Sequence, residues 1–332
     1  MNKFIKQLQD SDKRIAIPIM THPGIEAIGK KVIDAVTDGE VHYQAIKQVT
    51  EIYPTTACTV IMDLTVEAEA FGCAISMPEH EVPSVTGRLV YDEETVNSLQ
   101  VPSLSVGRMP EYLKANRLAV ENIKDKPVLS GCIGPFSLAG RLYDMSEIMV
   151  GIYIEPDVVK TLLDKCTAYI TAYCRELKAI GATGVIMAEP AAGLLSNEDC
   201  QEYSTVYVRQ IVEAVQDENF AVILHNCGNK GQCTQAMIDS GAAALHFGNA
   251  VNMVETLEQC PSDLIVMGNI DPVGILKQAT SEEVYRITAD LLSKTSQYKN
   301  FVISSGCDMP PLVPDANIKA FYQAIADFNT GK

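Results

Sequence analysis

Three residues have the types and spacing for metal chemistry: His225 and Cys227 in Ile223-Leu224-His225-Asn226-Cys227-Gly228, and Cys307 in Ser304-Ser305-Gly306-Cys307-Asp308 some eighty residues later. On an extended strand, side chains two apart point the same way, so an imidazole and a thiolate can face one ion. Cys307 follows another apolar run and completes a set of three. Zinc takes such soft and borderline donors tetrahedrally, and three protein ligands leave the fourth position open to a substrate. The pattern therefore reads as a catalytic zinc site rather than a structural one. The plainer alternative is a buried imidazole beside cysteines that act as small hydrophobes, a common arrangement on apolar strands. The elements that carry the three residues decide between the two.

Short β-branched runs alternate with longer amphipathic stretches. The runs are Ala57 to Leu64, a weak one at Val82 to Thr86, Pro127 to Cys132, Gly184 to Ala188, Phe220 to His225, Ala243 to Phe247, Leu264 to Gly268 and Phe301 to Ser305. Helical spacing covers 110–123, 157–180, 197–216, 232–240 and 281–296. Ser196-Asn197-Glu198-Asp199 and Ser281-Glu282-Glu283 supply cap oxygens and acids at two helix starts. This alternation predicts an α/β fold with a parallel sheet, and eight units predict a (β/α)8 TIM barrel. An open doubly wound sheet competes, but no Gly-X-Gly-X-X-Gly follows the first strand.

Ahead of the first run, Ile25, Ile28, Val32, Ile33 and Val36 recur at helical spacing, Asp38-Gly39 breaks it, and Val41, Ala45, Ile46 and Val49 resume it. Residues 1–50 thus predict an N-terminal helical extension on a barrel of 51–332, the whole 1–332 forming a single domain. His22, before Pro23-Gly24, falls in a turn and reads as solvated, with the alternative that its segment covers the barrel mouth.

A formal net charge of −16 argues against a nucleic-acid partner, because a phosphate backbone requires clustered Lys or Arg. Ten cysteines are scattered without a Cys-X-X-Cys pair, the first twenty residues lack an apolar stretch of the signal-peptide kind, and no run of eighteen apolar residues occurs. The expectation is a cytoplasmic protein with reduced thiols and no membrane partner.

Barrel chemistry sits at the C-terminal ends of the strands. There the sequence offers Asp63, Gly134-Pro135, Glu189-Pro190, His225 and Cys227, His246 with Asn249, Asn269 with Asp271, and Cys307-Asp308. Glu189 ends an apolar strand, where a carboxylate needs a cation or a donor. It could be an exchangeable fourth metal ligand, an acceptor for the ring N–H of His225, or a cap for the next helix. Asp63 carries the same ambiguity, and both are candidate catalytic acids. His246 and Asn249 are candidate cofactor or substrate contacts, His246 with the alternative of a satisfied core residue. Arg88, Arg108 and Arg141 are candidate anion clamps, and Arg141, just beyond Gly134-Pro135, is the best placed.

Asp63-Leu64-Thr65-Val66-Glu67-Ala68-Glu69-Ala70-Phe71-Gly72-Cys73, Gly134-Pro135-Phe136-Ser137-Leu138-Ala139-Gly140, His225-Asn226-Cys227-Gly228 and Gly306-Cys307-Asp308 resemble the uroporphyrinogen decarboxylase superfamily. Within it they look like the zinc-dependent methylcobamide:coenzyme M methyltransferase branch. The resemblance implies a (β/α)8 barrel that moves a methyl group from a methylcobamide, presented by a separate corrinoid protein, to a small thiol such as coenzyme M. It carries zinc ligation onto His225, Cys227 and Cys307, and more loosely an exchangeable ligand onto Glu189. The decarboxylase itself fits less well. Its arginine-rich N-terminal signature is replaced by Lys13-Arg14-Ile15-Ala16-Ile17-Pro18-Ile19-Met20, and it needs no metal. A decarboxylase-like lyase and a non-catalytic corrinoid-protein binding module are the alternative functions.

Overall fold

The computed structural model describes residues 2–331. Its strands are β1 (Cys58–Thr59), β2 (Ala74–Ser76), β3 (Ser84–Thr86), β4 (Val128–Ile133), β5 (Gly184–Ala188), β6 (Ala221–Asn226), β7 (Ala244–Phe247), β8 (Ile265–Ile270) and β9 (Phe301–Ser305). Seven form one parallel sheet in the order β1-β4-β5-β6-β7-β8-β9, and β2 pairs with β3 in a separate antiparallel ribbon. The expected weak run at Val82 to Thr86 is therefore no part of the parallel sheet. Its alternation of exposed and half-buried positions leaves it nothing to bury there.

Another segment lies between the sheet's two edges. Residues 15–17 run parallel to β9: Ile17 N donates to Ile303 O and Ile303 N to Ile15 O, each at 3.0 Å. On the other side Thr56 N, just before β1, donates to Ala16 O at 3.1 Å. Residues 1–50 do contain helices, at Lys3–Gln9, His22–Ala27, Val32–Thr37 and Gly39–Ile52. The stretch Ile15 to Ile19 is nonetheless extended and belongs with the strands, which corrects the expectation of a purely helical extension.

Alternation along the strands sorts their side chains into two cores. One face supplies Ile17, Ile19, Leu129, Ile186, Ile223, Ile265, Met267 and Val302, a single buried cluster that the helix Lys3–Gln9 enters with Phe4, Ile5 and Leu8. The other face, with Val185, Met187, Val222, Leu245, Phe247, Val266 and Ile303, packs beneath the surrounding helices. Several of these are the expected ones, now Met109–Asn122, Pro156–Ile180 and Ser281–Lys294. This α/β architecture is TIM-barrel-like, and among the described residues no helix is long and apolar enough to cross a membrane.

Candidate metal centre

His225 and Cys227 continue the inner face of β6 past its Ile223, and Cys307 lies two residues beyond β9. The ligand atoms of His225, Cys227 and Cys307 all lie within 4.8 Å of one another, the one such group among the described residues. His225 is buried and its Nε2 has no hydrogen-bond partner. An orphaned imidazole nitrogen facing two sulfurs is a donor set that suits zinc and leaves a position open. Hydrogen bonding to Cys307 holds Cys227 below the usual thiol range, while the same bond and burial push Cys307 up to about 12.

The opposite ring nitrogen of His225 is held by a neighbour that strand register selects. His225 pairs with His246 across β6 and β7, so both rings stand on one face, and their Nδ1 atoms are 2.8 Å apart. His246 Nε2 in turn lies 2.8 Å from Ser304 Oγ on β9. Burial, aided by His225, pushes the His246 imidazole well down, so it stays neutral. His246 is enclosed beneath the site, against the ring of His225, and does not line the cavity at the trio.

Glu189 is likewise elsewhere engaged. Its carboxylate accepts from Phe136 N at 2.7 Å, Ser137 N at 2.8 Å and the Ser137 hydroxyl. These are the first N–H groups of the helix Pro135–Tyr143, whose positive end favours an anion. Burial nonetheless pushes Glu189 up to about 7. The expected bond from the His225 ring is absent because His246 takes that nitrogen. The carboxylate does not cap the segment that follows Glu189; it caps the helix after β4 instead.

Asp63 binds Arg108 Nη1, Tyr112 Oη at 2.9 Å, and the amide and hydroxyl of Thr65. Arg108 Nε also donates to Glu69 at 2.7 Å. Neither residue lines the cavity at the trio, and neither does Arg141, which lies close to Asp63, Glu67 and Cys73 on the helix Pro135–Tyr143. Asn249 is exposed and lines a different cavity, of about 380 Å³, with Asn269 and Asp271. Arg88 is spent on Glu147, at 3.6 Å, and on the ring of Tyr91.

The cavity at the trio measures about 230 Å³. Two of its polar residues, His22 and Asp308, are named from the sequence without a specific role. His22 is buried, not solvated, and burial pushes it down to about 4. It lies 3.8 Å from Asp308 Oδ2, which accepts from Met62 N at 3.1 Å. The signal was its position at the end of the apolar run Ile15 to Met20, a strand end once that run is recognised as extended.

The family model described as Uroporphyrinogen decarboxylase (URO-D) matches residues 14–328. The chain belongs to the uroporphyrinogen decarboxylase family. Among curated members of that family it is 29% identical over 276 residues to the methylcobamide:CoM methyltransferase MtbA of Methanosarcina mazei, covering 82% of this chain and 80% of that one. It is 24% identical over 285 residues to the uroporphyrinogen decarboxylase of Legionella pneumophila, with 83% and 80% covered. A solved methyltransferase from Methanosarcina mazei superposes with a TM-score of 0.89 at 23% identity, over 98% of this chain and 97% of that one, and shows the fold. Within the family the chain is an enzyme of the methyltransferase class.

Proposed function

We propose that the chain is a zinc-dependent methyltransferase that takes a methyl group from a corrinoid held by a separate protein and gives it to a small thiol. Coenzyme M is the thiol named for the Methanosarcina relatives. The observation that carries the reading is the unpartnered Nε2 of buried His225, converging with the sulfurs of Cys227 and Cys307 on one cavity. In this reading those three residues hold the ion, in a single domain over 1–332. The domain is a closed (β/α)8 barrel whose first strand is the segment of residues 15–19. Free cysteines suit a reducing, cytoplasmic setting.

Zinc bound there would supply an acidified yet still nucleophilic thiol, which a free thiol at neutral pH is not. The chain's own residues supply the rest. His246 and Ser304 fix the ring of His225. Met62, Leu64, Ala188, Pro190 and Met309 make the cavity walls largely apolar and exclude water from a charged sulfur. About 230 Å³ suits a small thiol and is far too little for a corrinoid ring, which stays outside on its carrier. The methyl group leaves cobalt without its bonding pair, and a sulfur lone pair forms the new C–S bond.

Zinc analysis of protein purified without added metal, paired with methylcobalamin demethylation against a series of thiols, tests the reading. Near-stoichiometric zinc and thiol-dependent demethylation are expected. Protein with no zinc, or a Cys307→Ala variant that kept both metal and activity, would sink it.

A further inference from the structure

The cavity at the trio is built without a cation. Its polar lining is His22, His225, Cys227, Cys307 and Asp308, the rest is apolar, and none of the described residues that line it is Lys or Arg. Arg108 is engaged with Asp63 and Glu69 and Arg88 with Glu147, while Arg141, which makes no ion pair among the described residues, does not line the cavity. Besides His225 Nε2, two of the lining residues carry polar atoms that the protein leaves unpaired. His22, 1% exposed, has no hydrogen-bond partner on either ring nitrogen, and Asp308 has none on Oδ1. Buried polar atoms are paired as a rule, so orphans facing a cavity mark what its occupant must satisfy.

The chemistry of these two groups restricts the occupant. A buried neutral imidazole donates one hydrogen bond and accepts one. Asp308 supplies no positive charge in either protonation state: as a carboxylate it repels an anion, and as an acid it is a neutral donor. A sulfonate or carboxylate tail brought here loses its hydration with no cationic side chain to replace it.

We propose that the acceptor is a thiol with an uncharged, hydrogen-bonding tail, a hydroxyl or an amide a few bonds from sulfur, and that His22 with Asp308 reads that tail and selects against anionic thiols. The proposal rests on the methyl-transfer reading above and narrows its substrate. His22 is the specificity-determining residue. A site built to hydrogen-bond a hydroxyl discriminates strongly against analogues that leave its polar groups unpaired.

The test compares 2-mercaptoethanol, coenzyme M, 3-mercaptopropionate and ethanethiol on the zinc-loaded chain. Calorimetry without a methyl donor gives affinity, and methylcobalamin demethylation gives kcat/KM. 2-Mercaptoethanol is expected to bind at least about ten-fold more tightly than either anionic thiol, with kcat/KM in the same order. His22→Ala should weaken 2-mercaptoethanol about ten-fold while leaving ethanethiol binding and zinc content unchanged, and His22→Asn should restore part of the loss. Coenzyme M binding as tightly as 2-mercaptoethanol, or His22→Ala weakening 2-mercaptoethanol and ethanethiol alike, overturns the proposal and leaves methyl transfer standing. If no thiol binds or is methylated, the methyl-transfer reading falls and this proposal with it.

Discussion

Nδ1 of His225 and Nδ1 of His246 meet at 2.8 Å from register-paired positions on β6 and β7. One proton arrangement leaves a lone pair on His225 Nε2. His225 donates through Nδ1 to His246, which donates through Nε2 to Ser304 Oγ. Partners of this kind fix the tautomer and orientation of a metal-binding imidazole. His246→Phe keeps the ring volume and removes the acceptor, so zinc affinity should fall by about 10–100-fold in a competition titration against a chelating dye. Unchanged affinity would mean that packing alone holds the ring of His225.

Cys227→Ala and Cys307→Ala each remove one of three donors, so either variant should purify with far less zinc than the parent protein. A ligand that binds only the folded state raises its stability, so a chelator should lower the Tm of the parent protein. The Tm of both variants should not respond to chelator or to added zinc. A variant that still responded would place the ion elsewhere.

Arg108 and Asp63 form a buried ion pair, with side chains 7% and 0% exposed. Removing one partner of such a pair leaves an uncompensated charge and costs about 3–5 kcal/mol. Arg108→Met should show that loss in urea unfolding, and adding Asp63→Asn should recover part of it. Zinc content should survive the double substitution, because Asp63 does not line the cavity at the trio.

The parallel strands were legible as apolar β-branched runs, and the trio as a two-residue repeat on one of them. The strand-like segment from Ile15 to Ile19 was not, because Pro18 lacks an N–H and argues against a strand away from edges and bulges. Missing it hid His22, whose chemistry depends on standing at that segment's end. Glu189 showed as a carboxylate in need of donors, but its donors are mostly backbone N–H groups of a helix some fifty residues earlier, which no residue type announces. His246 as the partner of His225 depends on register, and periodicity within one strand does not fix the register between two.

Buried groups give the metal-free protein opposing pH dependences. His22 and His42 are pushed by burial from 6.5 to about 4 and about 3, so the stability they contribute is full above pH 6.5 and is lost as pH falls towards those values. Glu67 and Glu189 are pushed by burial from 4.5 to about 7, so their contribution is full below pH 4.5 and is lost as pH rises to 7. Each group changes stability by up to about 1.4 kcal/mol per pH unit within its window. Unfolding free energies in chelator should therefore show a plateau from about pH 4.5 to 6.5, a steep loss below it and a mild decline towards neutrality. Glu189→Gln should halve the decline above pH 6.5 and tilt the plateau so that stability rises with pH across it.

Gly134 and Glu189 separate the two roles of that carboxylate. A Cβ at position 134 would lie 2.4 Å from both Cγ and Cδ of Glu189, so only glycine lets the carboxylate reach the helix Pro135–Tyr143. Gly134→Ala should force it off Phe136 N and Ser137 N and destabilise the fold by about 1–3 kcal/mol in denaturant unfolding. Glu189→Gln keeps the shape and one acceptor oxygen but turns its amide toward N–H donors, for a loss of about 1–2 kcal/mol. Neither change removes a donor from His225, Cys227 or Cys307, so both variants should retain stoichiometric zinc while folded. Loss of zinc from a folded Glu189→Gln protein would return the carboxylate to the metal as its exchangeable fourth ligand, and would mean that its seat on the helix is only one of two positions.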